Sequence, residues 1–387
     1  MAKLPALMTL FAFVAIACAS PENVTPTEPS LVPEVSDAEE ADLVSTEALL
    51  EPARLNVKTY DGSGEMVHPD ALVFPHPWQG HRYWFAATPY PLGNSNFENP
   101  SGFAGDSAVD WHELPGVVNP LARPVTNAYL SDPDLTYDRA LDRIRLYYRQ
   151  TTLDADQIFV RTSATGGDWS EPTLVLQDKR YAMISPAVVR ETDGSWRLWA
   201  VNATDGGCRA RASALTLTQR RSRDGMTWNA PEAVALAIAG YVPWHWDVQY
   251  IPARREYWAL VAAYPDGSNC SRTSIYFARS SNGTRWTVSP SPLLEPGALD
   301  QLRDLVYRST FRYFPNEDAV RVWFSGARVE NGNFHYSLAA ARYPWSELLR
   351  RVNAPNTSAS ASVAMRQGDP GNPTLQAARE GFIHAFP

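Results

Sequence analysis

Three short segments place a carboxylate at one equivalent position: His68-Pro69-Asp70, Asp132-Pro133-Asp134 and His245-Trp246-Asp247. Gathered at one mouth, Asp70, Asp134 and Asp247 would raise one another's pKa, and that coupling is what acid/base chemistry on a sugar requires. An aspartate ahead of a strand also caps turns, so the chemistry rests on convergence of the three rather than on any one. Glu98, within the long segment Thr88-Pro89-Tyr90-Pro91 to Phe97-Glu98-Asn99-Pro100-Ser101, is a candidate acid; the plainer alternative is an exposed loop carboxylate. Arg149 either binds substrate or pairs with Asp134. Tyr90 and Trp246 offer rings for a pyranose face or for ordinary packing. His68, Asp132 and His245 open the inner segments of their units, Ser185 is the second residue of its own, and the four complete the candidate binding set. His68 and His245 begin equivalent strands and either ligate a metal or orient a carboxylate; two histidines without a third ligand at fixed spacing are a weak metal signal. The sequence contains no nucleophile elbow, phosphate loop or Cys/His cluster.

The elements that must carry these residues are timed by tryptophan. Trp111, Trp169, Trp228, Trp286 and Trp345 follow one another at intervals of 58 or 59 residues, which reads as five copies of one unit. Trp228 closes Ser222-Arg223-Asp224-Gly225-Met226-Thr227, and Trp286 closes Ser280-Ser281-Asn282-Gly283-Thr284-Arg285, turns in which Asp, Asn and Gly supply left-handed backbone and local hydrogen bonds. Second strands are near-continuous apolar runs such as Tyr83-Trp84-Phe85-Ala86 and Leu198-Trp199-Ala200, the mark of strands buried on both faces. These features specify an all-β fold, a five-bladed β-propeller with four-stranded antiparallel blades over residues 52–352. Trp345 keeps phase but lacks the turn chemistry, and Arg54 to Tyr60 is expected to supply an outer strand to the last blade. Inner segments align as His68-Pro69-Asp70, Asp132-Pro133-Asp134, Ile184-Ser185-Pro186, His245-Trp246-Asp247 and Tyr307-Arg308-Ser309.

Lys3 followed by an apolar run to Ala17 reads as an export signal over residues 1–18. Ala15-Ile16-Ala17-Cys18 fits either lipoprotein processing with lipidation at Cys18 or ordinary signal-peptidase cleavage. Residues 19–51 have the composition of a disordered tether, and 353–387 of a loosely held tail. The expected location is therefore the cell envelope or outside the cell, as a monomer that meets a membrane only through a lipid anchor. Export permits a disulfide between Cys208 and Cys270, which lie in equivalent loops of neighbouring units; the alternative is two buried thiols. With 34 basic and 42 acidic residues the net charge is −8, and no basic stripe accompanies the aromatics, which excludes a nucleic-acid partner.

The layout resembles the five-bladed propeller glycosidases, the group that includes glycoside hydrolase families 43, 32, 117 and 130, on blade count, the Ser-x-Asp/Asn-Gly-x-x-Trp turns and the carboxylates of the inner strands. The segment from His68 to Trp111 also resembles uncharacterised propellers that share its Thr-Pro-Tyr-Pro and Glu-Asn-Pro-Ser pair. The resemblance to family 43 implies a base at Asp70 and an orienting carboxylate at Asp134 or Asp132. It also implies a third-blade Glu as acid, but Ile184-Ser185-Pro186-Ala187-Val188 has none, so Glu98 or Asp247 would have to serve. The implied function is an exported glycosidase acting on a polysaccharide or oligosaccharide; the alternative is a non-catalytic carbohydrate- or protein-binding propeller. No cofactor is expected, with room on the axis for a structural calcium.

Overall fold

A computed structural model describes residues 52–354 apart from Pro115 and Asp205. The expected export signal, Cys18, the tether and the tail beyond 354 lie outside the described residues. Five antiparallel sheets follow one another along the chain. Blade 1 is Met66–Trp78, His81–Pro89 and Ser101–Gly105, with the bridge between Ala104 and His112 standing where a fourth strand would be. Blade 2 runs from Tyr129–Asp138 to Thr173–Lys179, blade 3 from Ile184–Arg190 to Glu232–Val234, and blade 4 from Tyr241–Ile251 to Thr287–Val288. Blade 5 comprises Leu305–Phe314, Ala319–Glu330 and Asn333–Pro344. Its outer strand is Ala53–Leu55, from the opposite end of the propeller sequence, in register with Leu338–Ala340. The ring is thus closed by the segment expected to close it. The residues after Trp345 form a short helix, Trp345–Val352.

The tryptophan period has a physical cause in the joints between blades. In the turns of blades 2, 3 and 4 the serine ties down the glycine amide: Ser163, Ser222 and Ser280 accept from Gly166, Gly225 and Gly283. The turn's carbonyl is then free to receive a side chain from the preceding blade. Tyr147 Oη donates to Gly225 O at 2.9 Å, Trp199 Nε1 to Gly283 O at 2.8 Å, and Trp323 Nε1, across the closure, to Ala108 O at 2.6 Å. Two residues earlier on the same strands, Arg145 and Arg197 donate to Asp224 O and Asn282 O, both at 2.7 Å. Residues two apart share a face of a strand, so each pair grips one turn. Blades 1 and 4 make the contact with a tryptophan at the arginine position: Trp84 packs on Gly166, and Trp258 stacks on Trp345 with centroids 4.3 Å apart. Gly283 adopts φ +72°, and a Cβ there would meet Arg197 and Trp199 at 2.4 and 2.8 Å, so only glycine fits the joint.

Cys208 and Cys270 form a disulfide between the loops after the second strands of blades 3 and 4, closing 62 residues of chain. Beside it, Arg211 pairs with Asp266 at 2.9 Å and Tyr264 Oη donates to Ala210 O at 2.7 Å. A loop of that size should contribute about 4 kcal/mol by restricting the unfolded chain. Replacing both cysteines with alanine should lower the unfolding free energy in denaturant by about that amount; an unchanged midpoint would show that the bridge adds nothing to the ring.

Candidate functional site

Each inner strand carries a β-bulge near its start, and these bulges set what faces the axis. The register breaks between Val67 and Asp70, Ser131 and Asp134, Pro243 and His245, and Val306 and Ser309, and opposite Trp199–Val201 in blade 3. His68, Asp132 and Ser185 all sit at φ +53°, a left-handed conformation uncommon for residues with a side chain. The shared geometry corrects the sequence alignment by one residue in blade 3, where Ser185-Pro186-Ala187 corresponds to His68-Pro69-Asp70. Blade 5 is also shifted by one, with Thr310 rather than Ser309 in the aspartate position. Two axial layers result: His68, Asp132, Ser185, His245 and Arg308 in one, and Asp70, Asp134, Ala187, Asp247 and Thr310 two residues further along each strand.

The second layer brings Asp70, Asp134 and Asp247 together, all buried, with oxygens within 4.8 Å of one another. Each carboxylate accepts the backbone N–H of a neighbouring blade: Asp70 from Leu135, Asp134 from Val188 at 3.2 Å, and Asp247 from Phe311 at 3.3 Å. Thr310 Oγ1 spans Asp70 and Asp247 at 2.7 and 2.9 Å. Burial, then the charge of Asp70, pushes the Asp134 carboxyl well above the usual carboxylate range and Asp247 up to about 6. Only Asp134 Oδ1 among these oxygens lacks a hydrogen-bond partner in the described residues. Each of the three aspartates offers one oxygen that could ligate a metal ion.

The first layer is chemically different. His68 Nε2 and His245 Nδ1 lie 3.7 and 3.4 Å from Asp132 Oδ1, with the candidate donor atoms of all three residues within 4.8 Å of one another. All are at most 2% exposed. Asp132 is held by Arg149 Nε at 3.0 Å, Arg308 at 3.0 Å and Ser131 Oγ at 3.0 Å. Arg149 pairs here, and with Asp156, rather than with Asp134. Burial works against charge on Asp132, but the His68 ring, the two guanidiniums and His245 outweigh it and hold its pKa well below the carboxylate range. Burial dominates for the histidines, lowering His68 to about 3 and His245 well below its ordinary value, so both rings are neutral at pH 7. His68 Nδ1 meets Thr88 Oγ1 at 3.2 Å, whereas His68 Nε2 and both nitrogens of His245 have no hydrogen-bond partner among the described residues.

Glu98 is wholly buried beside this layer, 3.4 Å from His68 Nδ1, and neither of its oxygens has a hydrogen-bond partner among the described residues. Burial, and then the charge of Asp132, raises its pKa well above the usual range. Its loop is pinned by the N-terminal segment, where Tyr60 Oη donates to Phe97 O at 2.9 Å and accepts from Asn99 Nδ2 at 2.8 Å. Tyr90 is buried nearby. The Ser185 hydroxyl is engaged across blades 3 and 4, donating to Trp246 O at 3.0 Å. The Trp246 ring packs with Trp286 instead of facing the axis, because it alternates with His245 on the strand. The sequence reading did not select Arg308 and Thr310 for the site. A basic residue opposite Asp132 was the available signal for Arg308, hidden by the shifted phase of blade 5.

Fold and axial residues together define a five-bladed β-propeller of the kind found in carbohydrate-active proteins. No protein-family model matches the chain. It is 28% identical over 321 residues to the A type blood N-acetyl-alpha-D-galactosamine deacetylase of Flavonifractor plautii, an alignment over 70% of this chain that spans only 41% of that protein. The crystal structure of an N-acetylgalactosamine deacetylase from F. plautii in complex with blood group B trisaccharide superposes with a TM-score of 0.72 at 25% identity, covering 78% of this chain and 97% of that one. A thermostable family-43 glycoside hydrolase shares the fold, with a TM-score of 0.52 at 12% identity over 72% of this chain and 88% of its own.

Replacing Asp70 with alanine would strand the Leu135 amide in a dry interior, at about 1–3 kcal/mol, while the Thr310 hydroxyl keeps Asp247 as its acceptor. The expected outcome is a loss of about 1–3 kcal/mol in denaturant unfolding; full stability would show that the carboxylate does not latch the blades.

Proposed function

We propose that this protein hydrolyses the amide of N-acetylated sugars, working from the His68–Asp132–His245 layer with a divalent metal ion. The observation that carries the reading is the set of buried imidazole nitrogens left without partners around one ionised carboxylate. Unpaired buried polar groups are costly, and two neutral histidines with a carboxylate are a donor set suited to zinc and similar ions. The likeness to a sugar N-deacetylase supplies the bond class. When bound, such an ion would polarise the acetyl carbonyl and lower the pKa of the attacking water.

The protein's own side chains do the rest. Arg149, Arg308 and Ser131 keep Asp132 ionised and oriented. Thr88 fixes the His68 ring through Nδ1, leaving Nε2 directed to the layer. Glu98 has a high proton affinity, and its two oxygens have no hydrogen-bond partner among the described residues. It would take a proton from the attacking water and pass one to the departing amine nitrogen, so that acetate and a free amine leave.

Glycoside hydrolysis by the aspartate layer is the second reading, favoured by the fold likeness to family 43. Weighing against it, inverting glycosidases hold their carboxyls about 6.5–9.5 Å apart and retaining ones about 5–5.5 Å, whereas these oxygens lie within 4.8 Å of one another and bond to backbone. Blade 3 also contributes Ala187 where a carboxylate would be needed. We further propose that the protein works outside the cytoplasm, lipid-anchored through Cys18 or freely secreted, a setting in which its disulfide would persist.

Incubation with an N-acetylgalactosaminide should release acetate and leave the glycosidic bond intact. A chelator should stop the reaction and zinc restore it, and His245→Ala should cut turnover at least about a thousandfold. Reducing sugar released without acetate, at an undiminished rate in His245→Ala, would replace this reading with the glycosidase one.

A further inference from the structure

Tyr336 lies in the third strand of blade 5, a part of the chain that the inner-strand pattern does not reach. It is 1% exposed, and its hydroxyl has no hydrogen-bond partner among the described residues. Its ring meets Tyr90 at 4.9 Å, tilted by 57°, and the Glu98 carboxyl lies close enough to act electrostatically on the hydroxyls of Tyr90, Tyr307 and Tyr336. Tyr307 in turn packs against both histidines, with centroids 5.5 Å from His68 and 4.8 Å from His245. The aromatic wall is therefore continuous with the His68–Asp132–His245 layer.

Its position is actively held. Glu65 Oε2 accepts the backbone N–H of Tyr336 and of Leu92, both at 3.1 Å, Glu65 Oε1 lies 3.0 Å from His335 Nδ1, and Glu65 O accepts the N–H of Tyr90 at 3.0 Å. One residue thereby fixes both tyrosines relative to each other. A buried phenol whose backbone is clamped and whose hydroxyl is left unpaired fits a ligand-binding role better than a packing role.

We propose that Tyr336, with Tyr90, walls the subsite for the substrate's acyl group, and that the Tyr336 hydroxyl hydrogen-bonds the acylated amide. This rests on the amide-hydrolase reading. A sugar ring needs several polar partners and an open mouth. The Tyr336 hydroxyl, buried among aromatic rings and without a hydrogen-bond partner among the described residues, matches instead a small methyl group beside a carbonyl. The Tyr90–Tyr336 pair then sets acyl size: acetyl is accepted, and longer chains collide with the two rings.

The test compares wild type with Tyr336→Phe and Tyr336→Ala on N-acetyl, N-propionyl and N-butyryl galactosaminides, scoring carboxylate release and thermal midpoint. Tyr336→Phe should lower kcat/KM for the N-acetyl substrate at least about tenfold while its midpoint stays level or rises, since the lost hydroxyl had no partner. Tyr336→Ala should shift preference toward the longer acyl chains. A Tyr336→Phe variant with wild-type kinetics overturns the inference, as does one that loses midpoint and keeps activity. Wild type inert on all three amides would sink the amide-hydrolase reading itself, a result visible before any variant is made.

Discussion

The ring is held by one recurrent joint, a second-strand side chain of one blade seated on the turn of the next. Tyr147 on Gly225, Trp199 on Gly283 and Trp323 on Ala108 are the same contact in three places, and Trp84 and Trp258 make its apolar form. These are directional bonds in a dry interior, where leaving a donor unmade costs more than making it gains. They therefore fix the angle between blades as well as their adhesion. Everything on the axis follows from that angle, because His68, Asp132 and His245 come from three separate blades.

Along the axis two layers of buried polar groups lie two residues apart and use their atoms differently. The aspartate layer bonds to backbone in neighbouring blades, and the histidine layer leaves nitrogens unspent. Both consist of buried ionisable groups, and burial shifts their proton affinities strongly, so pKa alone would nominate either. Hydrogen-bond partners separate them: all but one of the second layer's carboxylate oxygens have partners, while three of the four imidazole nitrogens in the first layer have none among the described residues.

The architecture was legible because its joint is written in local sequence. A tryptophan recurs once per blade because every blade receives its neighbour there, and in blades 2, 3 and 4 a serine–glycine turn leads into it. The closing strand and the Cys208–Cys270 bridge followed from the same count. The axis was only half legible. A bulge leaves no mark in composition, so blades 3 and 5 were read one residue out of phase, which concealed Arg308 and Thr310. Glu98 sits in a loop whose burial depends on Tyr60 from the distant closing segment. Tyr336 sits mid-strand among residues chosen for packing, and nothing local distinguishes it from Phe334.

Because the left-handed bulge lies ahead of the interblade carboxylates, the first layer works as a ring of five interchangeable slots. Each slot is filled by a single residue whose replacement leaves the aspartate layer's hydrogen bonds to neighbouring backbone untouched. Ser185 already shows a slot given over to wiring between blades. A lineage built on this frame could exchange one reactive group for another in few substitutions, which is reason to expect unlike chemistries on nearly superposable propellers.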